Sequence, residues 1–218
     1  MLLRFLSRFL AIALFASGVA TAQPAVTAGR DYNVLNSPQP TDSDGVEVLE
    51  FFSYGCIHCF NLEPTLSPWT KRLAKDVKFR RVPTPFKIHG VDSAPIFYTL
   101  EAMGLLDALH MKIFEAIHRD NAVLGNPSVF AQWLAKNGVD VKKYQEVEKS
   151  FSVQSKISRA GMLTSGYKIE STPTLAVAGR YTAISPSDAG GGPARLFQVV
   201  DSLIASSRQG KATPAGKS

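Results

Sequence analysis

The chain has 218 residues, 45% of them hydrophobic and 19% charged, a globular balance that excludes a disordered chain and leaves room for one sizeable core carrying an insertion. Its formal net charge of +6 comes from scattered Lys and Arg residues, with no aromatic-interleaved basic patch of the kind that binds nucleic acid. Only two cysteines are present, too few for a disulfide scaffold.

The first residues, MLLRFLSRFLAIALFASGVATAQ, carry Arg4 and Arg8, an apolar run from Phe9 to Ala16, and a small-x-small pattern at Ala20-Thr21-Ala22. This is the layout of a cleaved secretory signal, residues 1–22. The run falls short of the roughly 20 apolar residues that a spanning helix needs. No cysteine at the cut site offers a lipid attachment point. Export places the mature chain in an oxidising compartment, yet Cys56 and Cys59 close too small a loop for a disulfide between them to act as a staple.

Further along, DYNVLN reads as a short first strand and TDSDG as a loop of turn formers. VEVLEFFSY is apolar and β-prone apart from Glu47 and Glu50, the pattern of a strand buried on both faces. Ser53 to Gly55 form a turn, and a helical pattern runs from Cys56 toward Lys75, with a kink expected near Pro64 or Pro68. VKFRRVP follows as a second buried strand, completing a right-handed βαβ unit. SAPIFYTLEAMG, LLDALHMKIFEAIHR, PSVFAQWLAKNG and SVQSKISRAGMLTSGY then read as successive amphipathic helices, with Leu106, Leu109, Ile113 and Ile117 on one apolar face. The sheet resumes with STPTLAVAGRYTAI, two strands joined by a turn at Gly179, and PARLFQVVDSLIASS supplies a closing helix. The simplest organisation is an α/β domain interrupted by an all-helical insert, ending in a frayed tail.

The chemistry concentrates in SYGCIHCFN. At a helix start, free N–H groups and the helix dipole stabilise a thiolate, the reactive form of cysteine. A favourable dipole geometry is worth up to about 2 kcal/mol, or roughly 1.5 pKa units. His58 adds to this if it is charged or donates to sulfur, and stabilising the thiolate makes the disulfide a stronger oxidant. Haem attachment needs histidine directly after the second cysteine, where Phe60 stands. A zinc site needs four ligands, and His89, His110 and His118 lie elsewhere in the pattern as ordinary surface or partly buried residues. No metal or cofactor is therefore expected. Glu50, an acid in an apolar strand leading to the cysteine turn, is read as a buried carboxyl with a raised pKa, able to exchange protons with Cys59. The alternative is that it faces solvent at a sheet edge. In STPT, Thr172-Pro173 opens a strand; its isomer is not fixed by sequence, and trans is the commoner form.

VLEFFSYGCIHCF, the helical insert and GYKIESTPTLAVAGRYT, in that order, resemble the DsbA family of periplasmic thiol:disulfide oxidoreductases, within the thioredoxin superfamily. The resemblance covers nearly the whole mature chain. It implies an α/β thioredoxin fold with an inserted all-helical domain: residues 23–87 and 161–207 form the thioredoxin-like part, 88–160 the insertion and 208–218 a flexible tail. It also implies Cys56 as the exposed nucleophile, Cys59 as the buried resolving thiol, Glu50 as the buried carboxylate and Pro173 as a cis proline facing the disulfide. Ile57 and Thr172 would meet the substrate, Thr172 through its backbone.

The activity implied is disulfide donation to newly exported proteins through a mixed disulfide, in the periplasm, by a monomer without stable membrane insertion. A DsbB-like, quinone-linked inner-membrane protein is the implied reoxidising partner. The best-known members carry proline where this chain has Ile57 and valine where it has Thr172; the Ile57 N–H is expected to add a donor near the Cys56 sulfur. Two other readings stand beside this one. One is an isomerase or reductase of the same fold, disfavoured by the lack of a dimerisation segment, and the other is a non-catalytic peptide-binding module.

Overall fold

The computed structural model describes residues 26–183 and 191–212; the expected signal, 1–22, lies outside the described residues. Five strands form one sheet in the order β1-β5-β4-β2-β3. They are β1 (Tyr32–Val34), β2 (Val46–Phe52), β3 (Val77–Pro83), β4 (Thr174–Val177) and β5 (Tyr181–Ala183). β2 pairs parallel with β3, joined by helix α1 (Ile57–Lys71), and antiparallel with β4. The β4–β5 hairpin turns through Ala178 and Gly179, both at positive φ, and Arg180 N–H closes the turn on the Val177 carbonyl at 3.0 Å. Positive φ at both central positions matches the twist of the flanking strands.

Between β3 and β4 the chain forms α2 (Ser93–Ala102), α3 (Leu106–His118), α4 (Pro127–Lys136), α5 (Val141–Glu148) and α6 (Phe151–Gly166). The last helix continues past the expected boundary at 160. α7 (Gly192–Ala212) closes the fold and runs beyond 207, where the tail was expected to begin; Arg208 on it pairs with Asp76 at 2.7 Å. Pro64 and Pro68 both lie inside α1.

Every residue of β2 is buried, because the strand is covered on both sides. Val46 and Val48 join Leu62 and Leu66 of α1 and Val200 and Leu203 of α7 in one core. Leu49 and Phe51 join Leu100, Ile113, Phe114 and Tyr167 of the helical segment in the other. Strand alternation puts Glu50 on the side of Val46 and Val48, where α1 lies. No helix among the described residues is long and apolar enough to cross a membrane.

Candidate active site

After Phe52 the chain turns so that Cys56 becomes the N-cap of α1, with extended backbone angles (φ −88°, ψ 114°). Its N–H donates to the Ser53 carbonyl at 3.0 Å, and its carbonyl receives Phe60 N–H at 3.1 Å. The turn is clamped from the helical segment. Ser93 Oγ accepts Tyr54 N–H at 2.8 Å and meets Ser53 Oγ at 3.1 Å, while His118 Nε2–H donates to the Tyr54 carbonyl at 2.8 Å. At Gly55 a Cβ would come within 2.2 Å of the Ile88 carbonyl oxygen, so this position has no room for a side chain.

Facing the turn, the Thr172-Pro173 peptide is cis, and the Cys56 thiol donates to the Thr172 carbonyl at 3.2 Å. Both cysteines are free thiols; Cys56 is 6% exposed and Cys59 fully buried. The Cys56 pKa is lowered to about 5, first by a hydrogen bond from the Cys59 thiol, then by Thr172 and the backbone N–H groups of Cys59 and His58, against the cost of burial. A thiolate only accepts hydrogen bonds, so the Thr172 carbonyl cannot serve it. The Thr172 hydroxyl, buried and without a hydrogen-bond partner among the described residues, is the side-chain group of Thr172 that can donate to it. Burial, with the hydrogen bond and charge of Cys56, holds Cys59 well above the ordinary thiol range. At neutral pH one thiol is ionised and its neighbour keeps its proton.

Beneath the thiols lies a buried charge cluster. The parallel register sets Glu50 of β2 against Arg81 of β3. Glu50 is 1% exposed, and its Oε2 lies 3.0 Å from Arg81 Nε without an aligned hydrogen bond. Arg81 gives its aligned bonds to Glu63 of α1 instead: Nε and Nη2 reach Oε1 at 3.1 and 2.8 Å, and Nη2 reaches Oε2 at 3.1 Å. His110 of α3 joins Glu63 Oε1 through Nε2 at 3.1 Å and the Tyr54 hydroxyl through Nδ1 at 2.9 Å. Burial pushes the Glu50 pKa up to about 8; Arg81 opposes this, and the charges of Glu63 and Cys56 add to it. Glu63 is also buried, yet the His110 bond and Arg81 hold it below the usual carboxyl range. Burial lowers the His110 pKa, so the ring is neutral at neutral pH and the contact to Glu63 is a hydrogen bond to an anion, not an ion pair. Glu63, Arg81, Asp107 and His110 line a cavity of about 680 Å³ between α1 and α3. Among the described residues no group of three or more His, Cys, Asp or Glu side chains is arranged to hold a metal ion.

Residues 47–201 match the model of the DSBA-like thioredoxin domain. The chain belongs to the DSBA-like thioredoxin family. It is 39% identical over 181 residues to the thiol:disulfide interchange protein DsbA of Burkholderia cepacia, covering 82% of this chain and 85% of that one. Identity to the Pseudomonas aeruginosa DsbA is 38% over 196 residues, covering 88% and 90%. The crystal structure of P. aeruginosa DsbA aligns with a TM-score of 0.79 at 36% identity, over 86% of this chain and 97% of that one. NmDsbA1 from Neisseria meningitidis aligns with a TM-score of 0.73 at 27% identity, over 88% and 98%. The fold is that of a DsbA-like thioredoxin domain with a helical insertion, and the protein is a disulfide oxidoreductase.

In this DsbA-family chain Cys56, Cys59 and Thr172-Pro173 meet at one place, with Glu50 in the cluster below and not at a solvent-facing edge. Ile57 is 43% exposed, and His58 is exposed beside it. Two details differ from the sequence expectations. Cys56 is nearly covered where an exposed nucleophile was expected, because the Thr172 carbonyl sits over its sulfur. The leading backbone donors to that sulfur are Cys59 and His58, not Ile57. Thr172-Pro173 is cis, as the family resemblance implies and against the base rate. Sequence reasoning missed Glu63, Arg81 and His110, and read His110 as ordinary. One signal was available: Glu63 follows Cys59 by one helical turn, so the two share a face.

Proposed function

We propose that this chain is a periplasmic thiol:disulfide oxidase, which donates a Cys56–Cys59 disulfide to newly exported proteins. The observation that carries the reading is the division of the two thiols, one held near pKa 5 and its neighbour held protonated. A stabilised thiolate favours the reduced enzyme and makes the disulfide oxidising.

A substrate thiolate attacks Cys56 Sγ. The substrate–Cys56 bond forms as the Cys56–Cys59 bond breaks, and Cys59 leaves with the electron pair and takes a proton that Glu50 is placed to supply. A second substrate thiolate then attacks the substrate sulfur of the mixed disulfide, forming the substrate disulfide and expelling Cys56 as the thiolate. Two electrons have passed to the enzyme. Ile57 and Thr172-Pro173 bind the extended substrate segment around this point, and the exposed His58 ring stabilises the departing thiolate when charged. A DsbB-like, quinone-linked inner-membrane protein returns the dithiol to the disulfide. Equilibration against glutathione, followed by heat unfolding of each form, tests the reading. The disulfide form is expected to unfold at the lower temperature; the opposite order points to a reductase. Cys56→Ser is expected to abolish oxidation, and retained function would mark a binding module.

A further inference from the structure

We propose that His110 is a positioning residue: its Nε2–H keeps Glu63 ionised, so that the single proton of the Glu50–Arg81–Glu63 cluster resides on Glu50, beside the thiols. This rests on the oxidase reading for its use in catalysis, but the placement of the proton stands on the geometry alone.

Two buried carboxyls share one guanidinium, so the cluster is one positive charge short, and carboxyls in that position retain a proton between them. The proton goes to the carboxyl that offers less to its charged form. Glu63 accepts three contacts from Arg81 and a fourth from His110. Glu50 Oε2 has the Arg81 charge 3.0 Å away and no aligned hydrogen bond. The imbalance depends on the tautomer of His110. Tyr54 O–H donates to Nδ1, which leaves the ring proton on Nε2, aimed at Glu63. Tyr54 is itself fixed by Ser93 and His118, so the helical segment sets which carboxyl is neutral. The groups facing the cluster are Cys56, Cys59, Glu63 and Lys71 of α1 and its cap, Tyr54 of the turn, Arg81 of β3, Asp107 and His110 of α3, and the neutral Tyr144 phenol of α5. Apart from Arg81 and His110, none of these groups gives Glu63 a hydrogen bond. Without the Nε2–H, Glu63 competes less well for the charge, takes up the proton and releases Arg81 toward Glu50. Glu50 would then ionise beside a thiolate and no longer hold a proton for Cys59.

The test is carboxyl carbon NMR of the dithiol protein labelled at glutamate, with Glu50 and Glu63 assigned from E50Q and E63Q. In the unmodified protein Glu50 is expected to titrate near 8 and Glu63 below the usual carboxyl range. In H110L, Glu50 is expected to titrate clearly below 8 and Glu63 to move up. H110Q, whose amide N–H reaches Glu63, is expected to keep the original pattern. An unchanged Glu50 curve in folded H110L, or an equal shift in H110Q, overturns the proposal. Should H110L fail to fold, H110M, which also lacks a donor toward Glu63, takes its place with the same expectation, and an unchanged Glu50 curve in folded H110M is equally decisive against the proposal. The titration is read without clients, so a normal pattern in a protein that oxidises no thiols would refute the oxidase reading and leave the proton assignment intact.

Discussion

Replacing Glu50 with glutamine should stabilise the dithiol protein in a manner that depends on pH. The Glu50 carboxyl has an ordinary pKa of 4.5 and is raised to about 8 in the fold. Below the ordinary value both folded and unfolded chains carry the proton, and the residue contributes no difference. Between the two values the unfolded chain has released its proton while the folded chain keeps it. Stability therefore falls as pH rises, at about 1.4 kcal/mol per pH unit, and levels off above the folded pKa. By pH 7 the accumulated loss is about 3 kcal/mol. Glutamine has the shape of the neutral carboxyl and nothing to ionise. E50Q should thus match the unmodified protein near pH 4.5 and exceed it by about 3 kcal/mol at pH 7. In the disulfide form the gap should narrow, because the Cys56 charge that helps raise Glu50 is gone. Urea unfolding of both proteins in reductant at several pH values measures this. Parallel curves, or an E50Q protein less stable at pH 7, would refute the assignment of a neutral buried carboxyl.

Arg81→Met should have the opposite character. It strands Glu50 and Glu63 without their shared cation, and breaking a buried pair this way costs roughly 3–5 kcal/mol at neutral pH. The loss should shrink in acid as Glu63 joins Glu50 in the protonated state, which urea unfolding at the same pH values would show. Gly55→Ala should destabilise the protein and disturb the thiol turn, because the added Cβ meets the Ile88 carbonyl oxygen, a backbone atom, at 2.2 Å. A Gly55→Ala protein with unchanged unfolding and an unchanged Cys56 titration would contradict that packing.

The thiol pair, its helix-start position and Glu50 of β2 were legible because each breaks a local pattern: two cysteines in one turn, a carboxyl in a run that is apolar apart from it and Glu47. The partners of that acid were not. Arg81 meets Glu50 only through the parallel β2–β3 register, which sequence alternation does not specify. His110 lies on α3 among apolar residues, where a histidine reads as an ordinary surface or partly buried residue until the helix is packed against α1. The end of α7 was misplaced for a related reason. Gly, Ala and Lys suggest fraying, but Arg208 finds Asp76, at the loop before β3, and the helix continues through it. In each case local chemistry located the reactive group, and distant pairings determined its protonation or extent.

Ile57 separates two properties that the sequence alone joined. A proline there removes one backbone N–H, and if that group served the Cys56 sulfur the thiol pKa would rise. The structure assigns the leading backbone donors to His58 and Cys59. Ile57 is the first residue of α1, where proline fits without loss because the N–H has no partner within the helix. Ile57→Pro should therefore leave the Cys56 titration, read by thiolate absorbance, near 5 and leave stability unchanged. What it removes is an apolar side chain 43% exposed beside the thiols. The expected effect is weaker capture of peptide thiols, a raised KM with kcat held. A Cys56 titration displaced upward with KM unchanged would reverse the assignment and make the Ile57 N–H, not its side chain, the contribution to the site.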